Sequence, residues 1–234
     1  MTDSLIVALD FPDLAPARKL IKELEGLVSI YKIGSELFTA YGWEAVDLVH
    51  QAKAKVFLDL KLHDIPTTVA RTSSVIAKRG VFMFNVHALG GVEMMRAARK
   101  AVDESLGAQK SKPLLLAVTI LTSLEEKSLS SELGIARLLP DEVLSLARLA
   151  KEAGLDGVIS SPKETGLLRR ELGKTFTLVT PGIRPEGAQK DDQARSLTPR
   201  EAVQLGANYL VVGRPVTASS NPRLVASDIL QSLA

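Results

Sequence analysis

The chain has no cysteine, which removes disulfide staples, thiolate metal sites and cysteine nucleophiles together and fits a reducing compartment. It also has little net charge. Its 29 basic and 27 acidic residues leave +2 at neutral pH, too even a balance for a nucleic-acid footprint or a polybasic membrane patch. Long apolar runs are missing as well: the longest, Leu114 to Leu121, is interrupted by Thr119 and is far shorter than the roughly 20 residues that span a bilayer. At the N-terminus, Met1-Thr2-Asp3-Ser4 carries an acid, has no basic residue and leads into only five apolar residues, Leu5 to Leu9, which is not the pattern of a secretory signal. The expectation is a soluble cytoplasmic protein with neither nucleic acid nor membrane as partner. Its function then resides in a local site and not in a global field.

Apolar residues, at 46% of 234, are ample for one large core. Short β-rich apolar runs at 5–9, 29–33, 55–60, 81–86, 114–120, 156–160, 176–180 and 208–212 alternate with amphipathic stretches, among them Leu14 to Leu27, Glu44 to Ala54, Thr68 to Arg79, Gly91 to Ser105, Pro140 to Ala153, Pro162 to Leu172 and Pro222 to Leu233. No low-complexity linker divides them. Eight βα units with near-continuously apolar strands are what a closed parallel barrel needs to bury its sheet on both faces, so the expectation is one α/β domain over 1–234, a (β/α)8 TIM barrel. The competing open doubly wound sheet requires a glycine-rich phosphate turn after its first strand. Here Leu9 is followed by Asp10-Phe11-Pro12-Asp13, and the pair Gly90-Gly91 reads as a helix start.

Within the third strand run, Val56-Phe57-Leu58-Asp59-Leu60-Lys61-Leu62-His63-Asp64-Ile65-Pro66 puts charges where burial is expected. An unpaired ion out of water costs several kcal/mol or more, so Asp59 and Lys61 require partners or a ligand. Residues two apart on a strand share a face, which turns both the same way. Asp64, three positions past Lys61, is not aimed there by strand geometry; it serves either as a helix cap before Pro66 or at a site brought to it by something else. Thr67 and Thr68 read as first-turn residues on the first of these views.

A barrel gathers its reactive groups at the C-terminal ends of its strands. Asp10 after strand 1, Lys32 in strand 2, and Asp59 with Lys61 in strand 3 therefore converge, two acids with two bases. A structural salt bridge accounts for any one of them; the four together point to a site. Strand 7 ends in Thr180-Pro181-Gly182-Ile183-Arg184-Pro185 and strand 8 in Val212-Gly213-Arg214-Pro215, each offering a glycine for close backbone approach and an arginine for charge. Barrels often hold phosphate between these two loops; two turns with surface arginines are the plain alternative. The polar stretch 186–196 between them, without apolar period, has the length of a lid. Thr122 and Ser123 offer hydroxyls after strand 5, either to a polar ring or to a turn. His87, with no second histidine at ligand spacing, reads as a packed structural residue, and no zinc motif exists.

Together these motifs resemble the orotidine 5′-phosphate decarboxylase family. The resemblance covers essentially the whole chain. It rests on Asp59-x-Lys61-x-x-Asp64-Ile65-Pro66 with Thr68, on Val86-His87-Ala88-x-Gly90-Gly91, on Leu121-Thr122-Ser123, on Thr180-Pro181-Gly182-Ile183-Arg184 with Asp192-Gln193, and on Val212-Gly213-Arg214-Pro215. Thr67 stands where members often have Asn. The resemblance implies cofactor-independent and metal-free decarboxylation of orotidine 5′-monophosphate to UMP. It makes Lys61 the proton donor to the ring carbon that loses CO2, sets Asp59 beside the departing carboxylate, and completes an alternating charge array with Lys32 and Asp64. Asp64 and Thr68 are then expected in the neighbouring subunit's site, hence a homodimer. Asp10 and Lys32 are expected at the ribose and base, Thr122 and Ser123 near the pyrimidine, and Arg184, Gln193, Gly213 and Arg214 at the phosphate, with Gln193 reaching it from the lid.

Related barrels that act on keto-sugar phosphates carry a similar Asp-x-Lys-x-x-Asp pattern with Mg2+, but need an acid in strand 2, where this chain has Lys32. A phosphate-binding barrel without turnover would lack Lys61.

Overall fold

The computed structural model describes residues 4–107, 111–184 and 197–233. In chain order the elements are β1 (Leu5–Ala8), α1 (Leu14–Glu23), β2 (Ile30–Gly34), α2 (Ser35–Tyr41), α3 (Trp43–Gln51), β3 (Lys55–Leu62), α4 (Pro66–Lys78), β4 (Met83–His87), α5 (Gly91–Leu106), β5 (Leu114–Val118), α6 (Glu126–Ser131), α7 (Leu139–Glu152), β6 (Gly157–Ile159), α8 (Thr165–Leu172), β7 (Thr177–Thr180), α9 (Pro199–Gln204), β8 (Tyr209–Val212), α10 (Arg214–Thr217) and α11 (Pro222–Ser232). The eight strands pair in parallel in sequence order and β1 closes on β8, the barrel expected from the alternation. The short helices α2, α6 and α10 have no counterpart in that expectation, because each is too brief to show an amphipathic period.

Strand alternation divides the core in two. Ile6, Ala8, Ile30, Phe57, Met83, Leu116, Val118, Ile159, Val179 and Val211 pack together inside the barrel. The intervening residues, such as Leu5, Val7, Val56, Leu58, Phe84 and Ala117, belong to a second cluster shared with the helices. The strands are thus buried on both faces over most of their length, β3 opening only at Lys55 and at Leu60 to Leu62, which is why they read as continuous apolar runs. Truncating a plug residue such as fully buried Phe57 to Ala would cost about 3–5 kcal/mol.

The same two-residue period delivers the charges. Above Ile6 and Ala8 the next inward position is Asp10; above Ile30 it is Lys32; above Phe57 it is Asp59. The apolar plug therefore ends where the polar floor of a cavity begins, with no change in geometry needed.

Helix α4 buries Val69, Ser73, Ile76 and Ala77, the i, i+4, i+7, i+8 stripe of a helix lying on a sheet. It begins with Pro66 in the first turn, where the missing N–H costs nothing, and its N-cap is Ile65, without a side-chain cap bond. The Asp64 carboxylate accepts the N–H of Ile65 at 2.6 Å. Asp64 is therefore not the helix cap that the sequence also allowed.

Candidate active site

A cavity of about 360 Å3 opens at the C-terminal ends of the strands. Its charged side is a chain of ion pairs. Lys32 Nζ lies 2.8 Å from Asp10 Oδ1 and 3.4 Å from Asp59 Oδ2, and Lys61 Nζ lies 2.8 Å from Asp59 Oδ1. Lys32 and Asp59 are buried, and each stays ionised because of the other. Burial alone would lower the Lys32 ammonium's pKa, but the carboxylates of Asp59 and Asp10 hold it above its ordinary value. Burial would likewise raise Asp59, but Lys32 and Lys61, with hydrogen bonds from Lys61 and Asn85, keep its carboxyl below the usual carboxylate range. Gly34, at the top of β2, is a consequence of this crowding: a Cβ there would sit 2.9 Å from Asp10 Oδ1 and 3.1 Å from Lys32 Nζ.

Asn85 in β4 completes the cluster. It is buried among strand residues, its Nδ2 donates to Asp59 Oδ1 at 2.6 Å and its Oδ1 accepts the backbone N–H of Lys61 at 2.8 Å. Sequence reasoning missed it because it falls in mid-run and not at a strand end. The available signal was one polar residue two positions beyond inward-facing Met83.

Asp59 and Lys61 do reach the same cavity, but not by regular alternation. Leu58 pairs with Phe84 and Leu62 with Val86, so three residues of β3 lie opposite one of β4, and Lys61 adopts φ +53°. For a residue with a Cβ the left-handed region costs about 1–2 kcal/mol, strain that here coincides with a functional group.

The opposite side of the cavity is apolar, formed by Val118, Ile120 and Ile159, with Thr122 at its edge. The third side comes from the loops after β7 and β8, where Gly182, Arg184, Gly213 and Arg214 line the cavity. Gly182 has φ +80°, a conformation suited to glycine. The backbone N–H of Arg184 donates to the carbonyl of Leu197 at 3.0 Å, which ties the two loop flanks together. An acid–base array, an apolar wall and a pair of arginines can hold a flat polar ring at one end and an anion at the other.

The structure therefore brings together Asp10, Lys32, Asp59, Lys61, Thr122, Arg184, Gly213 and Arg214. Asp64 and Thr68 are exposed and do not line their own chain's cavity, and Ser123 is exposed beside Thr122. Gln193 and the polar stretch 186–196 lie outside the described residues. His87 stacks on His63, with ring centroids 5.3 Å apart and planes at 27°. Its Nδ1 is buried without a hydrogen-bond partner among the described residues.

The family model described as orotidine 5′-phosphate decarboxylase / HUMPS family matches residues 3–229. The chain belongs to that family. A curated relative from Legionella pneumophila (strain Corby), named orotidine 5′-phosphate decarboxylase, is 48% identical over 233 residues and covers 100% of both chains. Another of the same name from Moorella thermoacetica is 47% identical over 232 residues, covering 97% of this chain and 92% of its own. Among solved structures, orotidine 5′-phosphate decarboxylase from Lactobacillus acidophilus superposes with a TM-score of 0.86 at 38% identity, covering 99% of each chain. This chain is thus an enzyme of a decarboxylase family, and no described helix is long and apolar enough to cross a membrane.

Proposed function

We propose that this chain is a cytoplasmic orotidine 5′-monophosphate decarboxylase that produces UMP in pyrimidine biosynthesis without metal or cofactor. The observation that carries the reading is the Asp10–Lys32–Asp59–Lys61 array at 2.8, 3.4 and 2.8 Å, in a cavity that Arg184 and Arg214 also line. The phosphate binds at the arginines, where guanidinium forks and loop N–H groups match its oxygens. The pyrimidine lies against the apolar wall with its carboxylate toward Asp59.

In that pose the C6–CO2 bond breaks with its electron pair remaining on C6. The Lys61 ammonium stabilises the carbanion and then gives it a proton, and Lys61 recovers its own proton from solvent. At about 4 Å the substrate carboxylate would be repelled by Asp59 by roughly 4 kcal/mol at an effective dielectric near 20, and loss of CO2 relieves this. Lys32 and Lys61 offset part of that repulsion, so stabilisation of the carbanion by a preorganised ammonium is the larger contribution.

The Mg2+-dependent alternative fits the donor set poorly. Its acid in strand 2 is replaced by Lys32, which holds both Asp10 and Asp59, and no group of three or more acids and histidines suited to a metal occurs among the described residues.

The site is shared between two subunits. Asp64 and Thr68 are exposed, and Ile65 between them is 66% exposed, which suits a segment that completes its burial against a second subunit's cavity and adds Asp64 to its array. The direct test is to incubate the purified chain with orotidine 5′-monophosphate and excess EDTA and follow the loss of orotate absorbance. Turnover is expected. Inactivity that Mg2+ restores would hand the site to the metal-dependent chemistry.

A further inference from the structure

Between the Leu58–Phe84 and Leu62–Val86 pairs the β3–β4 ladder is interrupted, and Asp59, Leu60 and Lys61 lie opposite Asn85 alone. A bulge of this kind leaves backbone groups without ladder partners and re-aims the side chains it carries. Asn85 fills the gap with its side chain. Its two contacts admit only one orientation of the amide: the N–H of Lys61 needs an acceptor and the carboxylate of Asp59 needs a donor. One buried side chain therefore fixes the backbone of the residue beside it across the ladder and the carboxylate to which that residue's ammonium is paired.

We infer that Asn85 is the positioning residue of the reaction, acting through Lys61 and Asp59 by clamping the left-handed backbone of the first to the carboxylate of the second. Asn85 is not among the residues that line the cavity, so it acts through Asp59 and Lys61 and not by touching substrate. Its effect falls on where the ammonium sits when the C6 carbanion forms. The inference rests on Lys61 and Asp59 being the reacting groups, as proposed above.

Two variants with different chemistry test it. Asn85→Leu keeps a similar volume and removes both bonds. The expected result is a kcat lower by about 100-fold, the scale set by a displacement of order 1 Å at a reacting group, with KM and the affinity for UMP within threefold of wild type. Asn85→Asp keeps the acceptor for the Lys61 N–H but sets a second carboxyl against Asp59. Two carboxylates at that separation do not both ionise, and only the protonated form of the new group can donate as the amide does. Its kcat is therefore expected to rise as pH falls from 8 toward 5.5, reversing at least a tenfold deficit, a trend absent from wild type.

Lys61→Ala measured alongside separates the two ideas: if it retains activity, the assignment of Lys61 fails, whereas an inactive Lys61→Ala with a fully active Asn85→Leu overturns the role of Asn85 alone. Should Asn85→Leu not fold, Asn85→Asp decides. A pH profile parallel to wild type refutes the clamp, and recovery in acid supports it.

Discussion

The two ends of the cavity are built on different plans. The charged end stands on β1 to β4, where the side-chain period that packs the barrel plug also supplies Asp10, Lys32, Asp59 and Asn85, and every charge in the array is paired within the chain. The arginine end stands on the loop after β7 and, after β8, on Gly213 and the first residue of the short helix α10, where glycines and arginines replace packed strand residues. Groups on strands are held to tenths of an ångström by their neighbours, whereas loops trade that precision for adaptability. A reaction that depends on the position of one ammonium belongs on the first, and capture of a phosphate belongs on the second. Damage to the strand end should accordingly appear in kcat, and damage to the loop end in KM.

The largest effect is expected from Lys61→Ala. Lys32, the other ammonium lining the cavity, is held between Asp10 and Asp59, so kcat should fall by at least about 1,000-fold, within the range of a lost general acid. The fold should survive, because Lys61 is more than one-third exposed and Asp59 keeps Lys32 and Asn85. Asp59→Ala is the contrast: it leaves buried Lys32 with Asp10 alone and takes the acceptor from the buried Asn85 amide, and should cost about 1–3 kcal/mol of stability as well. A Lys61→Ala enzyme with more than one tenth of wild-type kcat, a barrier change of only about 1.4 kcal/mol, would remove Lys61 from the chemistry.

Next is Asp64, which sits at neither end of its own chain's cavity. Lys61→Ala and Asp64→Ala homodimers should each be nearly inactive, yet a mixed dimer pairs one doubly damaged site with one intact site. After subunit exchange at equal amounts, about half the dimers are mixed, so roughly a quarter of wild-type activity should return. Exchange demonstrated by a mass-tagged subunit, with no recovery, would confine Asp64 to its own barrel.

How far the sequence carried this comparison depends on what each feature leaves in a linear string. The barrel was legible because strands buried on both faces show as continuous apolar runs, and Asp59 with Lys61 because charges interrupt one. The bulge beneath Lys61 was not. A left-handed residue is usually signalled by glycine or asparagine, and Asp-Leu-Lys-Leu contains neither, so alternation gave the right face for an incomplete reason. Asn85 looked like one polar residue in an apolar run, and the stack of His63 on His87 joins residues too far apart for any spacing rule. At the loop end the Gly-x-Arg and Gly-Arg pairs were plain, while Ser123 was grouped with Thr122 because adjacency in sequence says nothing about which hydroxyl turns inward.

Arg214→Ala probes the loop end. Loss of a charge-assisted phosphate contact should raise KM for orotidine 5′-monophosphate by about 10- to 100-fold and change kcat much less. An unchanged kcat/KM would take the phosphate away from the β8 loop, and an equal fall in kcat alone would erase the division between the two ends.

The smallest effect concerns pH, and it sharpens the comparison because the strand end should hardly respond. Asp59 is held below the usual carboxylate range, so its contribution to stability is complete above an unfolded value of about 3.9 and is lost only as pH falls through the lower folded value. Lys32 is held above its ordinary value, so its contribution is complete below about 10.4 and is lost only as pH rises through the higher folded one. Between pH 7 and 9 neither changes charge, and Tm should be flat with respect to both. His87 is the exception at this end of the barrel. Burial first, then His63 and the Lys61 charge, lower its pKa from the usual imidazole value. The folded state thus prefers the neutral ring, and this contribution is complete above about 6.5 and lost as pH falls through the depressed folded value. Wild-type Tm should therefore decline modestly from pH 6.5 to 5.5, before most carboxylates titrate, and His87→Gln should decline less over the same interval. A wild-type Tm that rises on acidification there, or a His87→Gln curve parallel to it, would show that the half-buried ring does not titrate against the fold.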